Sequence, residues 1–356
     1  MRLPGLIDVH VHMREPGAIH KEDWASGTAA ALAGGITAVL AMPNTQPPVY
    51  DAYSLENTLA TASAKARCDY SQFIGAGPEN ARLVPALAPR TAGLKMYLDM
   101  TYGDLRLDDM GLWQQHFINW PKEFPIVTHS ESRTMAAAIL FSAIYDQPIH
   151  IAHISLREEV LTIKAAKERG IKVTCEVAPH HLFLTADDFT EISQQGKFPG
   201  RKEVRPRLAT RQDQQALWEN LAVIDCFATD HAPHLISEKD SQNPPPGFPG
   251  LETALPLLLT AVHEGRLTLD DVVNKMYHNP RRIFNLPEQP ETWIEVNLNA
   301  KYSIKASESV SKCGWTPFEG WKVQGKVERV VLRGQTAFET GQIKAKPGYG
   351  LDLRSL

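Results

Sequence analysis

Ile149-His150-Ile151-Ala152-His153, a helical pattern over Arg157 to Arg169 stopped at Gly170, and Lys172-Val173-Thr174-Cys175-Glu176-Val177 make one strand–helix–strand unit. Both apolar runs are short and nearly uninterrupted, as in parallel strands covered on both faces. Toward the N-terminus the same alternation gives strands at Leu6 to His12, Ile36 to Ala41, Tyr70 to Ala76, Gly93 to Leu98 and Pro125 to His129. Helices fall over Trp24 to Ala33, ended by Gly34-Gly35, and over residues 51–66. Toward the C-terminus an eighth strand runs from Val223 to Asp230. Eight such units over about 250 residues predict a (β/α)8 TIM-type barrel. Periodicity alone does not show closure, so a doubly wound open sheet is the alternative. From about Trp293 the pattern changes, and Glu328 to Gly334 with the segment through Phe338 to Gln342 reads as a β-hairpin. The expected division is a barrel over residues 1–290 and a small partial β appendage over 291–356, packed beside it. Residues 240–250 are proline-rich and form a rigid loop.

Composition narrows the function classes. Of 356 residues, 43% are hydrophobic and 22% charged, as in a soluble globular enzyme. A formal charge of −4 with no basic block argues against nucleic-acid binding. No apolar run approaches the roughly 18 residues needed to span a bilayer. Cys68, Cys175, Cys226 and Cys313 are scattered without a Cys-x-x-Cys pair, which suits reduced thiols in a cytoplasmic protein. The first buried strand begins by residue 6 with no lead-in element, as expected of a domain within a longer polypeptide.

The chemistry collects at strand ends. In Leu6-Ile7-Asp8-Val9-His10-Val11-His12, alternation puts Asp8, His10 and His12 on one face, the two imidazoles about 7 Å apart. Lys95 lies in strand four, His129 ends strand five, His153 ends strand six and Asp230 ends strand eight. In a barrel of this kind those ends form the catalytic mouth. Four imidazoles, a carboxylate and a lysine converging there are metal-site chemistry. Between Leu94 and Met96, burial pushes Lys95 toward the neutral amine, which can add CO2 to form a carbamate that bridges two metals. The same lysine could equally snorkel to the barrel rim. His20, His116, His263 and His278 are expected on the surface or satisfied in the core. His150 alternates away from His153 and is set aside, while His231 is expected to pack. His180 and His181 stand near the mouth, with support of a ligand as their functional alternative.

These residues resemble the amidohydrolase superfamily, and more narrowly the dihydroorotase family of the kind fused in the animal multifunctional pyrimidine-synthesis protein. The resemblance rests on His12-Met13-Arg14-Glu15-Pro16-Gly17, Met42-Pro43-Asn44-Thr45, Gly93-Leu94-Lys95, Cys175-Glu176-Val177-Ala178-Pro179-His180-His181 and Glu203-Val204-Arg205-Pro206. It continues through Thr229-Asp230-His231-Ala232-Pro233-His234, Pro244 to Glu252 and His278 to Phe284, and so covers nearly the whole chain.

The resemblance implies reversible cyclisation of N-carbamoyl-L-aspartate to L-dihydroorotate in pyrimidine synthesis, with a bridging hydroxide as nucleophile and Asp230 as general acid/base. It implies two Zn2+ ions: one held by His10, His12, carboxylated Lys95 and Asp230, the other by Lys95, His129 and His153. Arg14, Asn44 and His234 match the family's clamp on the substrate carboxylate, and Arg205 a further contact. Thr101 and Tyr102 match a mobile loop over the substrate, with Tyr102 where related animal enzymes often carry Phe. Some animal-type members use a cysteine before the strand-six histidine, with the carboxylate equivalent to Glu176, for an extra metal. Ala152 fills that position here, so a third metal is not expected and Glu176 is expected to orient a ligand histidine instead. The resemblance also implies a homodimer within a larger multifunctional polypeptide in the cytoplasm. The competing readings are another cyclic-amide hydrolase, of hydantoinase, dihydropyrimidinase or allantoinase type, and a non-catalytic scaffold domain. The former substrates lack dihydroorotate's carboxylate, and the latter predicts missing ligands.

Overall fold

The computed structural model describes residues 1–189 and 199–356. After a short strand β1 (Arg2–Pro4), the barrel strands follow as β2 (Leu6–Val11), β3 (Ile36–Ala41), β4 (Asp69–Gln72) with its continuation β5 (Ile74–Gly75), β6 (Leu94–Tyr97), β7 (Ile126–His129), β8 (Ile149–Ile151), β9 (Val173–Val177) and β10 (Cys226–Phe227). Every residue of β2, β3 and β6–β8 is buried, the signature of parallel strands sandwiched between a filled interior and an outer helical layer. Trp24–Ala33, Ala52–Lys65, Met110–Asn119, Ser132–Tyr145, Arg157–Glu168, Arg211–Glu219 and Ala254–His263 belong to that layer. The helix Trp24–Ala33 begins on Asp23, whose carboxylate accepts the Ser26 N–H, and ends at Gly34.

Closure separates the barrel from the open-sheet alternative. The third strand pairs with β3 through Asp69–Gln72 and with β6 through Ile74 and Gly75, joining the two parallel sheets. At the other seam Val11 bridges His231 in parallel, and the His12 N–H donates to the His231 carbonyl at 2.8 Å. Several expected strands are trimmed at an end, and two lose the end that carries a site residue. The eighth is only Cys226–Phe227, not Val223 to Asp230, because Lys275 Nζ takes the Leu221 and Ile224 carbonyls and Asn279 takes that of Asp225. The sixth ends at Ile151, because His153 turns to φ 34°.

The appendage is a five-stranded antiparallel sheet in the order β1-β11-β12-β13-β14, formed by β11 (Trp293–Ser303), β12 (Lys322–Leu332), β13 (Gln335–Glu339) and β14 (Gln342–Ile343) with β1. Arg2–Pro4 thus pairs with Trp293–Glu295, a contribution that a boundary at 290/291 does not contain. Phe338 to Gln342 is not one strand. Arg333-Gly334 and Thr340-Gly341 each carry two successive positive φ angles (49° and 76°, 46° and 82°), which make two tight hairpin turns. Among the described residues, no helix is long and apolar enough to cross a membrane.

Candidate active site

β2 raises three polar groups in sequence on one face. Asp8, the deepest, accepts from the Thr229 hydroxyl at 2.5 Å and from the backbone N–H groups of His10 and Thr229 at 3.1 Å. It ties the first strand to the eighth beneath Asp230. Above it, His10 Nδ1 lies 2.5 Å from Glu176 Oε1, and His12 Nδ1 lies 2.7 Å from Asn44 Oδ1. The Asn44 amide is oriented because its Nδ2 donates to the Tyr102 carbonyl at 2.9 Å. Both imidazoles therefore spend their N–H on an acceptor at Nδ1 and turn a lone pair inward at Nε2. Those nitrogens stand 3.4 Å and 3.1 Å from Asp230 Oδ1. Two lone pairs facing a carboxylate oxygen repel unless a cation lies among them. The three ligating atoms lie within 4.8 Å of one another, close enough to share one metal ion.

Lys95, His129 and His153 adjoin this trio. Among the described residues, Lys95 Nζ, His129 Nε2 and His153 Nδ1 are buried without a hydrogen-bond partner. His129 Nδ1 lies 2.8 Å from His153 Nε2. Buried polar atoms are normally paired, so the orphaned Lys95 Nζ and the two imidazoles, which meet through their other nitrogens, fit side chains able to hold a metal beside the trio. Burial lowers the Lys95 ammonium to about 8 against the pull of Glu176 and Asp230. It raises Asp230 to about 6 against His10 and Lys95. Burial, and then Lys95, keeps His129 neutral, while burial and then His129 do the same for His153. Arg14, His153 and Asp230 have φ of 59°, 34° and 47°, a backbone region that non-glycine residues seldom adopt. Such bends collect at functional sites, where surrounding structure holds them.

Glu176 has both oxygens engaged. Oε1 faces His10 and, at 3.4 Å, the His153 N–H, and Oε2 faces His150 Nε2 at 3.0 Å. Burial pushes its carboxyl upward, but His10 and His150 more than offset this and hold it well below the usual carboxylate range. Its two oxygens thus meet both His10 and His150. His150, set aside on alternation, is the second anchor of that carboxylate, and its Nδ1 lies 2.8 Å from Thr174 Oγ1.

Arg14, Asn44, Thr101, Tyr102 and Arg205 line the same narrow cavity as His10, His12, His129, His153 and Asp230. Gly247 forms one wall; at its φ of 142°, a Cβ would sit 2.4 Å from the Ala232 carbonyl oxygen, so no side chain fits. His234 lies behind Arg14, with Nε2 3.0 Å from Arg14 Nη2. The Tyr102 ring covers both, 5.1 Å from the Arg14 guanidinium and 5.4 Å from the His234 ring. Arg205 Nη1 donates to Glu203 Oε2 at 3.1 Å and to the Val204 carbonyl at 3.0 Å.

Three residues near the site escaped sequence reasoning. His150 is one. Tyr97 lines the cavity with a buried hydroxyl that has no hydrogen-bond partner among the described residues; it lies two residues after Lys95 on one strand, so alternation alone points to it. Lys21 is buried with its ammonium 3.0 Å from His234 Nδ1, and it lies in an irregular loop with no periodic signal. Of the other histidines, His116 is buried with Nε2 on the Gly77 carbonyl and, among the described residues, Nδ1 without a hydrogen-bond partner, and His20 pairs with Glu238 at the surface. His263 meets Gln324, and His278 meets Tyr277 edge to face. His231 accepts from the Gly250 N–H. His180 and His181 are buried with their rings tilted against each other, 4.4 Å between ring centroids.

A model of the family described as Dihydro-orotase-like matches residues 1–76. The multifunctional protein CAD of Squalus acanthias is 55% identical over 355 residues, covering 100% of this chain and 16% of that protein. The chain thus spans about a sixth of that relative's length. The dihydroorotase of Pyrococcus horikoshii is 38% identical over 358 residues, covering 97% of this chain and 82% of that one. Among solved structures, the inactive dihydroorotase-like domain of the Chaetomium thermophilum CAD-like multifunctional protein aligns with a TM-score of 0.83 at 29% identity, over 99% of both chains.

Proposed function

The chain belongs to the dihydroorotase family, and from that premise we propose that it is a zinc-dependent dihydroorotase interconverting N-carbamoyl-L-aspartate and L-dihydroorotate. The observation that carries the reading is one cavity joining two chemistries. On one side stand the nitrogens of His10 and His12 with the Asp230 carboxylate, and on the other the Arg14 guanidinium and the Asn44 amide. A hydrolase for uncharged cyclic amides has no use for that buried cation. The Chaetomium relative bears the word inactive, but in this chain each of the six candidate ligand positions carries a residue type able to ligate.

His10, His12, Asp230, His129 and His153, with Lys95 as its carbamate, would hold two Zn2+ ions. When bound, zinc would supply Lewis acidity and a water acidified to near neutral pH. Asp230 receives the proton of the attacking water as the ring amide C–N bond breaks, and returns it to the departing ring nitrogen. Ring closure runs the same transfers backward, with Asp230 handing a proton to the hydroxyl that leaves as water. Arg14 binds the substrate carboxylate, with Asn44 and His234 beside it, and fixes the chain in the bent form that cyclises. The Asn44 amide now serves the Tyr102 carbonyl; substrate takes its place, so residues 101–102 lift and close again with each turnover. Arg205 completes the wall. The reading extends to a homodimer within a longer cytoplasmic polypeptide.

The test is an assay of the purified chain with dihydroorotate, N-carbamoyl-aspartate, hydantoin and allantoin. Turnover of the first pair alone is expected. Turnover of hydantoin or allantoin in preference would reassign the chain to the other cyclic-amide hydrolases, and inactivity on all four after zinc loading would make it a scaffold.

A further inference from the structure

His234 is enclosed by hydrogen-bonding groups of incompatible kinds. Its side chain is fully buried. Nδ1 lies 3.0 Å from Lys21 Nζ; Nε2 lies 3.0 Å from the Pro246 carbonyl oxygen and 3.0 Å from Arg14 Nη2. A neutral imidazole owns one N–H and one lone pair. An ammonium only donates and a carbonyl only accepts, so a single tautomer suits both neighbours. In it, Lys21 donates to Nδ1 and Nε2–H donates to Pro246. The opposite tautomer would set Nδ1–H against an ammonium and a lone pair against a carbonyl oxygen.

We propose that Lys21 is a positioning residue that locks His234 as the Nε2–H tautomer, so that the ring, with its one N–H on the Pro246 carbonyl, presents no lone pair to Arg14 and leaves the guanidinium N–H for substrate. The inference rests on the dihydroorotase reading for the identity of the carboxylate. His10 and His12 are the contrast, since their Nδ1 atoms face acceptors and their Nε2 lone pairs face the cavity, as a metal requires. In His234 the polarity is reversed. Nε2–H and Arg14 Nη2 are then both donors, 3.0 Å apart, so neither takes the other's proton; the Pro246 carbonyl takes that of the ring, and the guanidinium N–H is left for an anionic oxygen. Lys21 is itself fixed for the task. Its Nζ pairs with Glu238 Oε1 at 3.1 Å, and the Tyr102 ring lies 5.3 Å away. The Trp315 indole N–H holds the His234 carbonyl at 2.8 Å, so the ring's backbone cannot drift.

Lys21→Met removes the donor to Nδ1. Glu238 Oε2, 4.0 Å from Nδ1, then becomes the available acceptor, and the ring switches to Nδ1–H. Its Nε2 lone pair now accepts from Arg14 and draws the guanidinium away from substrate. The experiment is 15N NMR of the zinc-loaded, histidine-labelled enzyme without substrate, with His234→Gln to assign the ring, alongside steady-state kinetics. Wild type is expected to show a pyrrole-like Nε2 and a pyridine-like Nδ1, and Lys21→Met the reverse. The same variant is expected to raise KM for dihydroorotate about tenfold or more, the scale of one charge-assisted contact, with kcat changed far less. Lys21→Arg should restore both tautomer and KM. A wild-type ring protonated at Nδ1 overturns the proposal without needing any variant to fold. So does a Lys21→Met enzyme that loses thermal stability yet keeps tautomer and KM. Wild-type turnover of dihydroorotate in the same kinetics tests the underlying reading separately, because the tautomer is read without substrate.

Discussion

Asp230 lies three residues beyond the short β10, at a left-handed bend, and meets His10 and His12 through one oxygen. Replacing it with Asn keeps the shape and hydrogen bonding but removes the proton carrier. Asp230→Asn should therefore lose at least about a thousandfold in kcat, near the range of general acid–base catalysis, while circular dichroism and Tm stay close to wild type; retained turnover would take Asp230 out of that role. Glu176 acts one step further out, through His10 and His150. Glu176→Gln should weaken zinc binding about 10- to 100-fold, as loss of a ligand-orienting partner does, measured by competition with a chromogenic chelator. Unchanged affinity would leave Glu176 a purely structural carboxylate. At this scale the sequence was informative wherever a residue sat on a strand, because alternation fixes which way it points. It was silent on Lys21, whose loop has no period, and misleading on His150, which faces away from the cavity yet supports it from below.

The elements set how the site opens. Residues 101–102 reach over Arg14 and His234, and the Tyr102 carbonyl occupies the Asn44 amide. Tyr102→Ala would uncover the pocket, and the expected outcome is a several-fold higher KM for dihydroorotate. Tyr102→Phe, which keeps the ring, should stay within about twofold of wild type; a large loss in the Phe variant would make the phenol itself part of binding. The eight strand–helix units were legible because buried parallel strands are continuous apolar runs, and their order alone suggested the barrel. Strand ends were less legible. Val223 to Asp230 has the composition of a long strand, but its carbonyls are claimed by Lys275 and Asn279, fifty residues away in sequence. No local pattern carries that information. The same holds for β1, whose three residues join a sheet made by the far end of the chain.

For the whole molecule, the outer face of the helix Ser132–Tyr145 is the part left without a stated neighbour. Leu140 and Ile144 are 56% and 61% exposed on it, flanked by exposed Ile118 on Met110–Asn119 and Leu161 on Arg157–Glu168. A helix apolar on its solvent side commonly meets another protein surface. If the proposed homodimer uses this face, Leu140→Asp with Ile144→Asp should sediment as a monomer and keep kcat/KM; a persisting dimer places the interface elsewhere. Where the two ends of the described chain leave the barrel has a further consequence. Met1 and β1 fasten to β11, while Leu353 and Arg354 are held by Tyr70, Thr91 and Phe284. β1 leads into the start of β2, Tyr70 is the second residue of β4 and Thr91 precedes β6, so both ends are fastened at the floor, opposite the mouth. Both terminal segments are thus spent on closing the floor, and the mouth is shaped only by the loops that carry Arg14, Tyr102 and His234.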